Sequence, residues 1–124
     1  EKNRYDLINF LTILKKKKKK IIAISAPAKG MTLLNYSKID NAYLDFVTEK
    51  SSLKIDRFTP GSNLRVYSDK KIIKFKPEYG LLLAWNFSKE IIKNNIDFLK
   101  KGGKFIIPIP KLKVIGYKNI NEII

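Results

Sequence analysis

The parts of this sequence that could do chemistry are short segments that each follow an apolar run. "SAPAKG" (25–30) follows the isoleucine-rich run that begins at Ile21, Glu49 follows a second apolar segment, and Asn86 follows "YGLLLAW". In open parallel sheets, ligands bind beyond the carboxyl ends of the strands. If this chain binds a ligand, we therefore expect it at the sheet edge where these segments meet.

The "SAPAKG" segment predicts a loop that opens a helix and could bind an anion. Small residues leave backbone N–H groups accessible at the positive end of the helix dipole, where a phosphate or carboxylate is stabilised, and Lys29 adds a positive charge. The segment matches neither G-x-G-x-x-G nor the P-loop pattern. From the residues alone, the commoner alternative is a tight strand-to-helix turn that needs small residues only for packing.

Four further residues each have a ligand-binding and a structural interpretation. Arg57, beside a Pro-Gly turn, could clamp a phosphate or pair with a surface acid. Asn86 could bind a ligand or cap the next helix, and Trp85 could stack on a base or sugar or lie in the core. Glu49 could hold ribose hydroxyls, as an acid does after the second strand of dinucleotide-binding folds, or be a solvated strand end.

Composition excludes several classes of site. The sequence has no Cys and no His, which rules out disulfides, cysteine-zinc sites and thiol nucleophiles and removes the commonest general base. No acid pair or nucleophile–base couple has a defensible spacing. No apolar run approaches the roughly 18–20 residues of a membrane span, and no signal peptide is visible, so we expect a cytoplasmic protein without a membrane partner.

The charge balance points to an anionic partner. Lys and Arg number 26 against 11 Asp and Glu, a net charge of +15, which suits a polyanion or a smaller phosphorylated ligand. Only three of these cations are arginines, the residues that usually read base edges, so we do not expect nucleic acid as the partner. The run Lys15–Lys20 is expected to be a solvated connector, with contact to a polyanion as the alternative.

Apolar periodicity predicts a single α/β domain over residues 1–124. The alternation of helices and strands indicates three layers around a mainly parallel sheet. Ser88 is expected to cap the last long helix, and Gly102 with Gly103 to end it. The predicted helices are 5–16, 26–39 and 88–101, with a short one near 68–75, and the predicted strands are 21–25, 42–49, 64–67, 79–85, 104–110 and 113–117.

Four strings, in register and in this order, resemble the C-terminal domain of bacterial sugar C-methyltransferases, a family acting on nucleotide-linked deoxysugars. They are "APAKGMTLLNY", "RFTPG", "LLLAWNFSKEII" and "GGKFIIPIP", and the resemblance runs from about residue 21 to residue 115. In this family a small N-terminal domain binds zinc through cysteines. A central domain binds S-adenosylmethionine and holds the catalytic His and Tyr residues. The C-terminal domain is Rossmann-like, packs over the active site and helps to hold the nucleotide sugar.

The resemblance assigns this chain to the third part only, because it has no Cys and no His. It implies a Rossmann-like substrate-binding and lid domain without a catalytic residue or a cofactor of its own. S-adenosylmethionine and zinc would belong to the missing zinc-binding and methyltransferase domains, which would be partners in cis, and the substrate would be a nucleotide-linked sugar. The matching positions imply that Lys29, Asn35, Arg57 and Asn86 face that substrate.

Two other functions stay open at this point. A free-standing nucleotide-binding module would fit the fold, but the sequence lacks the glycine fingerprint of that class. A basic nucleic-acid-binding domain would fit the charge and would bind unrelated DNA with a steep salt dependence.

Overall fold

The computed structural model describes residues 2–24, 28–49, 57–59, 63–68, 70–109 and 111–122. The helices are α1 (Lys2–Lys16), α2 (Ala28–Ser37), α3 (Lys71–Phe75), α4 (Ser88–Asn94) and α5 (Ile96–Lys100), with 3-10 helices at Trp85–Phe87 and Tyr117–Glu122. The strands are β1 (Ile21–Ile24), β2 (Val47–Glu49), β3 (Val66–Ser68), β4 (Tyr79–Leu82), β5 (Lys104–Ile107) and β6 (Lys113–Ile115). Within these ranges, none of the helices combines the length and the apolar character that crossing a bilayer requires.

The strands form one sheet in the order β3-β2-β1-β4-β5-β6. Every neighbouring pair is parallel except β5 and β6, which are antiparallel. The chain runs outward from β1 to β3 and then returns to place β4 on the other side of β1. This reversal confirms the predicted mainly parallel sheet and opens a crevice between the carboxyl ends of β1 and β4.

Apolar side chains cover both faces of the sheet. In β1, Ile21 and Ala23 lie in one core layer with leucines of α1 and α2, and Ile22 and Ile24 lie in the opposite layer with side chains of α4 and α5. All four residues of β1 are buried, as expected for a strand covered on both faces. The α1 leucines, at the predicted helical spacing, are Leu7, Leu11 and Leu14. The predicted three-layer arrangement is confirmed.

The predicted helix 88–101 is broken in two at Asn95. This residue has φ −124° and ψ 33°, and its Nδ2 donates to the carbonyl of Ile91 at 2.7 Å. The asparagine side chain therefore competes with the backbone for a helical acceptor, which interrupts the helix. The predicted cap at Ser88 is wrong, because α4 begins at Ser88 itself, directly after a 3-10 helix, and has no side-chain cap bond.

The predicted stop at Gly102 and Gly103 is confirmed. Gly102 has φ +96°, its N–H donates to the carbonyl of Leu99 at 3.0 Å, and the N–H of Gly103 donates to the carbonyl of Phe98 at 2.9 Å. This pair of bonds is a Schellman motif, which favours glycine at its left-handed position. A Cβ on Gly103 would lie 2.5 Å from the Phe98 ring, so the second glycine is needed for space.

Three other helices end at a lysine in the same left-handed conformation, with φ between 54° and 59°; these are Lys18, Lys38 and Lys76. After α1, the N–H of Lys19 donates to the carbonyl of Leu14 at 3.0 Å, and after α2 the N–H of Ile39 donates to that of Leu34 at 2.9 Å. These are again Schellman bonds, now with a side chain at the position that glycine favours. Each of these helices leads toward a parallel strand, so the three lysines lie toward the amino edge of the sheet.

The run Lys15–Lys20 is more structured than the expected solvated connector. Lys19 Nζ lies 3.2 Å from Glu78 Oε2, and the N–H of Lys20 donates to Glu78 Oε1 at 3.0 Å. Lys20 Nζ also donates to the carbonyl of Phe75 at 3.1 Å. The last two lysines therefore tie the start of β1 to the turn that leads into β4, although the run stays largely exposed, as expected of a solvated connector.

These contacts predict an acid-dependent stability. The backbone N–H of Lys20 is the main cause that lowers the pKa of Glu78 below 4.5, burial opposes it, and Lys19 lowers it further. A carboxyl whose folded pKa is depressed adds stability above its unfolded pKa, and this is lost as the pH falls through the folded value. We expect Glu78→Gln to be less stable than the wild type at pH 6, with a difference that shrinks as the pH falls from about 5 to about 3. Urea denaturation at several pH values measures it, and a pH-independent difference would contradict the assignment.

Candidate functional site

The candidate site is the crevice beyond the carboxyl ends of β1 and β4. The two strands pair directly, with Ile24 opposite Leu82, and the N–H of Leu83 donates to the carbonyl of Ile24 at 3.3 Å. The chain leaving β1 enters α2 at Ala28, and the chain leaving β4 enters the 3-10 helix Trp85–Phe87. Both helices therefore start at the same edge of the sheet, α2 on one face and the 3-10 helix on the other.

The sheet beneath the crevice is closely packed around Gly80. A Cβ at this buried residue of β4 would lie 2.7 Å from Ile24 Cδ1 and 3.4 Å from Phe105 Cδ1. Glycine lets the neighbouring strands bring their large side chains over β4. These side chains fill the core layer on this face of the sheet. Sequence reasoning did not single out Gly80, since an apolar run hides which of its residues needs to be small.

Two of the predicted substrate-facing residues, Lys29 and Asn86, lie at this edge. Lys29 belongs to the first turn of α2, and Asn86 is the exposed middle residue of the 3-10 helix. The side chain of Lys29 and residues 25–27 lie outside the described part of the chain. Both backbone positions therefore follow directly paired strands at the same edge of the sheet, with α2 packed against one face and the 3-10 helix against the other.

The other two predicted residues, Asn35 and Arg57, lie elsewhere. Asn35 is exposed and sits two residues before the end of α2, toward the amino edge of the sheet. The carbonyl of Arg57 accepts the N–H of Val66 at 2.7 Å, which places Arg57 beside the start of β3, two strands away from β1. The structure does not group these two residues with Lys29 and Asn86.

Residues at the neighbouring strand ends have mixed environments. Glu49 is the last residue of β2, as predicted for the second strand. Its side chain is half-buried. Thr48, before it, is fully buried, and its hydroxyl has no hydrogen-bond partner in the described ranges. Trp85 is half-buried and packs on the core layer that contains Ile92 of α4, which agrees with its structural interpretation.

An open groove of about 360 Å³ starts at Asn86 and runs along α4. Its lining residues are Asn86, Phe87, Lys89, Glu90, Lys93 and Asn94. The Phe87 side chain is 59% exposed although it is large and apolar. Of these lining residues, sequence reasoning identified only Asn86. The spacing of apolar residues in α4 predicts which face is buried, but it does not predict which part of the polar face borders a depression.

The fold has a counterpart among solved structures. UDP-D-quinovosamine 4-dehydrogenase from Vibrio fischeri superposes with a TM-score of 0.53 over 82% of this chain and 97% of that chain, at 16% sequence identity. At this identity the likeness concerns the fold alone. It confirms the Rossmann-like architecture, in which the crevice at the strand-order reversal is the usual ligand position.

Two comparisons of sequence identify the family. A model described as the C-methyltransferase C-terminal domain matches residues 1–110, which contain both segments of the crevice. C-methyltransferase NovU from Streptomyces niveus is 38% identical over 98 residues, which are 79% of this chain and 23% of NovU. The chain thus spans about a quarter of the length of this curated relative. Together with the fold, these matches show that the chain belongs to the C-methyltransferase C-terminal domain family.

Proposed function

We propose that this chain is the C-terminal substrate-binding and lid domain of an S-adenosylmethionine-dependent C-methyltransferase that acts on a nucleotide-linked sugar. The observation that carries the proposal is the family match over residues 1–110, which includes the segments that follow β1 and β4. A Rossmann-like crevice lined by polar residues is a suitable site for a phosphorylated ligand.

Lys29 and Asn86 have the chemistry that this role needs. A lysine ammonium binds phosphate as a mobile point charge, and an asparagine amide both donates to and accepts from hydroxyl and carbonyl groups. Both follow the central strands of the sheet, so the rigid part of the fold positions their backbones. Asn35 and Arg57 lie apart from this edge, and their proposed contact with substrate depends on the remaining parts of the enzyme.

The reacting groups are proposed to lie outside this chain. Without Cys or His, the chain offers neither the usual zinc ligands nor the usual general base, and we propose that zinc and S-adenosylmethionine are held by other domains. Methyl transfer to carbon then requires a carbanion or enolate next to a keto group of the sugar. This chain would bind the substrate away from that carbon and use the binding energy to orient it.

Steady-state kinetics of the full-length enzyme test the proposal. We expect Lys29→Ala and Asn86→Ala each to raise KM for the nucleotide sugar by about 10- to 100-fold, because each removes a polar contact worth about 1.5–3 kcal/mol when one partner is charged. The kcat should change less than KM if the lost contacts hold the substrate equally in the ground and transition states.

Matched substitutions at the opposite edge provide the control. Asn121→Ala and Lys100→Ala remove the same functional groups from exposed positions outside the crevice and should leave KM unchanged. Arg57→Ala and Asn35→Ala in the same assay decide whether these two residues face the substrate. Unchanged kinetics for both Lys29→Ala and Asn86→Ala would refute the site, and methyl transfer by the isolated chain would refute its non-catalytic role.

A further inference from the structure

The amino edge of the sheet, opposite the candidate crevice, carries many exposed lysines. The helices α1, α2, α3 and α5 all end there, because each leads into a strand that starts at that edge. The exposed lysines at or just after these helix ends include Lys16, Lys18, Lys38, Lys76, Lys100 and Lys101. Two acids of the same edge, Asp45 and Glu78, already accept the backbone N–H groups of Ile21 and Lys20. The surface formed by these lysines, here called the basic edge, is therefore strongly positive.

Three lysines of the basic edge are held in an unfavourable backbone conformation with their charges unused. Lys18, Lys38 and Lys76 have φ between 54° and 59°, and among the described residues their ammonium groups form no ion pair, hydrogen bond or ring contact. Lys20 differs, because its Nζ donates to the carbonyl of Phe75 at 3.1 Å and lies 4.8 Å from the centroid of the Phe75 ring. The fold uses the charge of Lys20 and leaves the other three for contacts outside the chain, and strained residues cluster at functional sites.

The basic edge extends in two dimensions. The helices α1 and α2 lie on one face of the sheet, and α3 and α5 lie on the other. Since a helix is about 10–12 Å across, Lys38 and Lys76 belong to layers whose axes are about 20 Å apart. Lys104, exposed at the start of β5, adds a positive charge between the layers. Charges spread over such a face suit a planar anionic surface, whereas an extended acidic peptide would contact a single row of them.

We propose that the basic edge binds the surface of a membrane that contains anionic phospholipids. The three helix ends at Lys18, Lys38 and Lys76 have lysine and no arginine next to them. A lysine ammonium acts as a point charge and does not need the fixed geometry by which arginine grips a single phosphate. Each lysine near an anionic leaflet strengthens binding by about 5-fold. Peripheral binding of this kind needs no spanning helix, and the lack of a spanning segment was the basis for expecting no membrane partner.

This inference goes beyond the proposed function and defines an orientation. With the basic edge on the membrane, the carboxyl edge of the sheet faces the aqueous phase. The segments that hold Lys29 and Asn86 are at that carboxyl edge. A water-soluble substrate could therefore reach the candidate crevice while the domain is bound to the membrane.

Cosedimentation of the full-length protein with lipid vesicles tests the basic edge. The vesicles contain one part phosphatidylglycerol to two parts phosphatidylcholine, and phosphatidylcholine alone is the neutral comparison. We expect Lys18→Gln/Lys38→Gln/Lys76→Gln to weaken binding to the anionic vesicles by about 100-fold, because three contributions of about 5-fold are lost. Arginine at the same three positions should preserve binding, and high salt should release the wild type.

Lys89→Gln/Lys111→Gln/Lys113→Gln is the matched control. It removes the same charge from exposed lysines, but Lys89 lies in the first turn of α4, and Lys111 and Lys113 lie between β5 and the start of β6, at the carboxyl edge. This variant should keep most of the wild-type affinity. Glycine at positions 18, 38 and 76 should weaken binding as glutamine does while relieving the backbone crowding, so that loss of binding is separated from loss of folding.

Three outcomes would overturn the proposal. The first is a wild-type protein that does not bind the anionic vesicles even at low salt. The second is an equal loss of affinity in the two glutamine variants, which would show that net charge and not this edge is responsible. The third is DNA of unrelated sequence that displaces the protein from vesicles and whose binding depends on the same three lysines, which would assign the edge to nucleic acid. The KM for the nucleotide sugar should not change in Lys18→Gln/Lys38→Gln/Lys76→Gln, so the proposed function is judged separately.

Discussion

Replacing Phe105 by alanine is expected to lower the free energy of unfolding by about 3–5 kcal/mol. Phe105 is in β5, has no exposed surface, and is among the largest fully buried side chains. Its ring contacts Phe98 at a centroid distance of 5.1 Å and lies beside the space that Gly80 leaves open. Alanine would remove apolar contacts from three neighbouring elements and leave a cavity that a closely packed sheet cannot fill. Domains of this kind have a total stability of only about 5–15 kcal/mol, so the variant is expected to be close to unfolding.

Urea denaturation of Phe105→Ala and Phe58→Ala in parallel measures the effect. The same atoms are removed in both variants, but the Phe58 ring is 59% exposed, so its loss should change stability by less than about 0.5 kcal/mol. If both variants lost the same free energy of unfolding, burial of Phe105 in β5 would not be the cause of its contribution to stability. Where Phe105→Ala fails to fold, Phe105→Leu provides a measurable intermediate, with an expected loss of about 1–2 kcal/mol.

Changing Lys18, Lys38 and Lys76 together to glycine is expected to raise the free energy of unfolding by about 1.5–3 kcal/mol. All three have φ between 54° and 59°, a conformation in which a Cβ is crowded by the backbone. Removing that crowding raises the free energy of unfolding by about 1–2 kcal/mol at each site. The greater conformational freedom of glycine in the unfolded chain lowers it by about 0.5–1 kcal/mol. The ammonium groups are on the surface, and the helix-ending hydrogen bonds use backbone atoms that glycine retains.

Lys17→Gly is the control, because Lys17 lies in the same turn as Lys18 but does not have a positive φ. The N–H of Lys17 donates to the carbonyl of Ile13 at 3.1 Å. Glycine here has no crowding to relieve and should lower stability by up to about 1 kcal/mol. The reverse change, Gly102→Lys, should also be destabilising, since Gly102 has φ +96°. If Lys17→Gly and Lys18→Gly changed stability by the same amount and in the same direction, backbone conformation would not be the cause.

The order of the elements was predictable because each apolar run is separated from the next by strong turn residues. Strand lengths were not. The predicted strand 42–49 is reduced to β2 because Asp40 and Asp45 act on the backbone around it: Asp40 Oδ1 accepts the N–H of Ala42 at 2.9 Å, and Asp45 Oδ2 accepts that of Ile21 at 3.0 Å. The Asp40 side chain forms a turn where an alternating pattern predicted a strand, and the Asp45 side chain instead bonds across to the start of β1.

The candidate site was predictable only where it follows from topology. Lys29 and Asn86 come after strands that were predicted to be parallel, so a common edge follows from the sheet. That these two strands are neighbours is known from the structure alone. Arg57 was expected to face the substrate because its string matched the family, and a backbone bond to Val66 places it beside β3. The groove along α4 could not be predicted, since the sequence does not show which polar face of a short helix borders a depression.

The pairing of β1 with β4 limits how this domain could move. The strands are joined along their length by four registered residue pairs, at the amino end through Glu78 and at the carboxyl end by the bond from Leu83 to Ile24. The two strands that carry the crevice are therefore held together along their length, and a side chain of β1 packs closely over Gly80 of β4. Under the proposed function, closure over the substrate would then be a rotation of the domain as a whole.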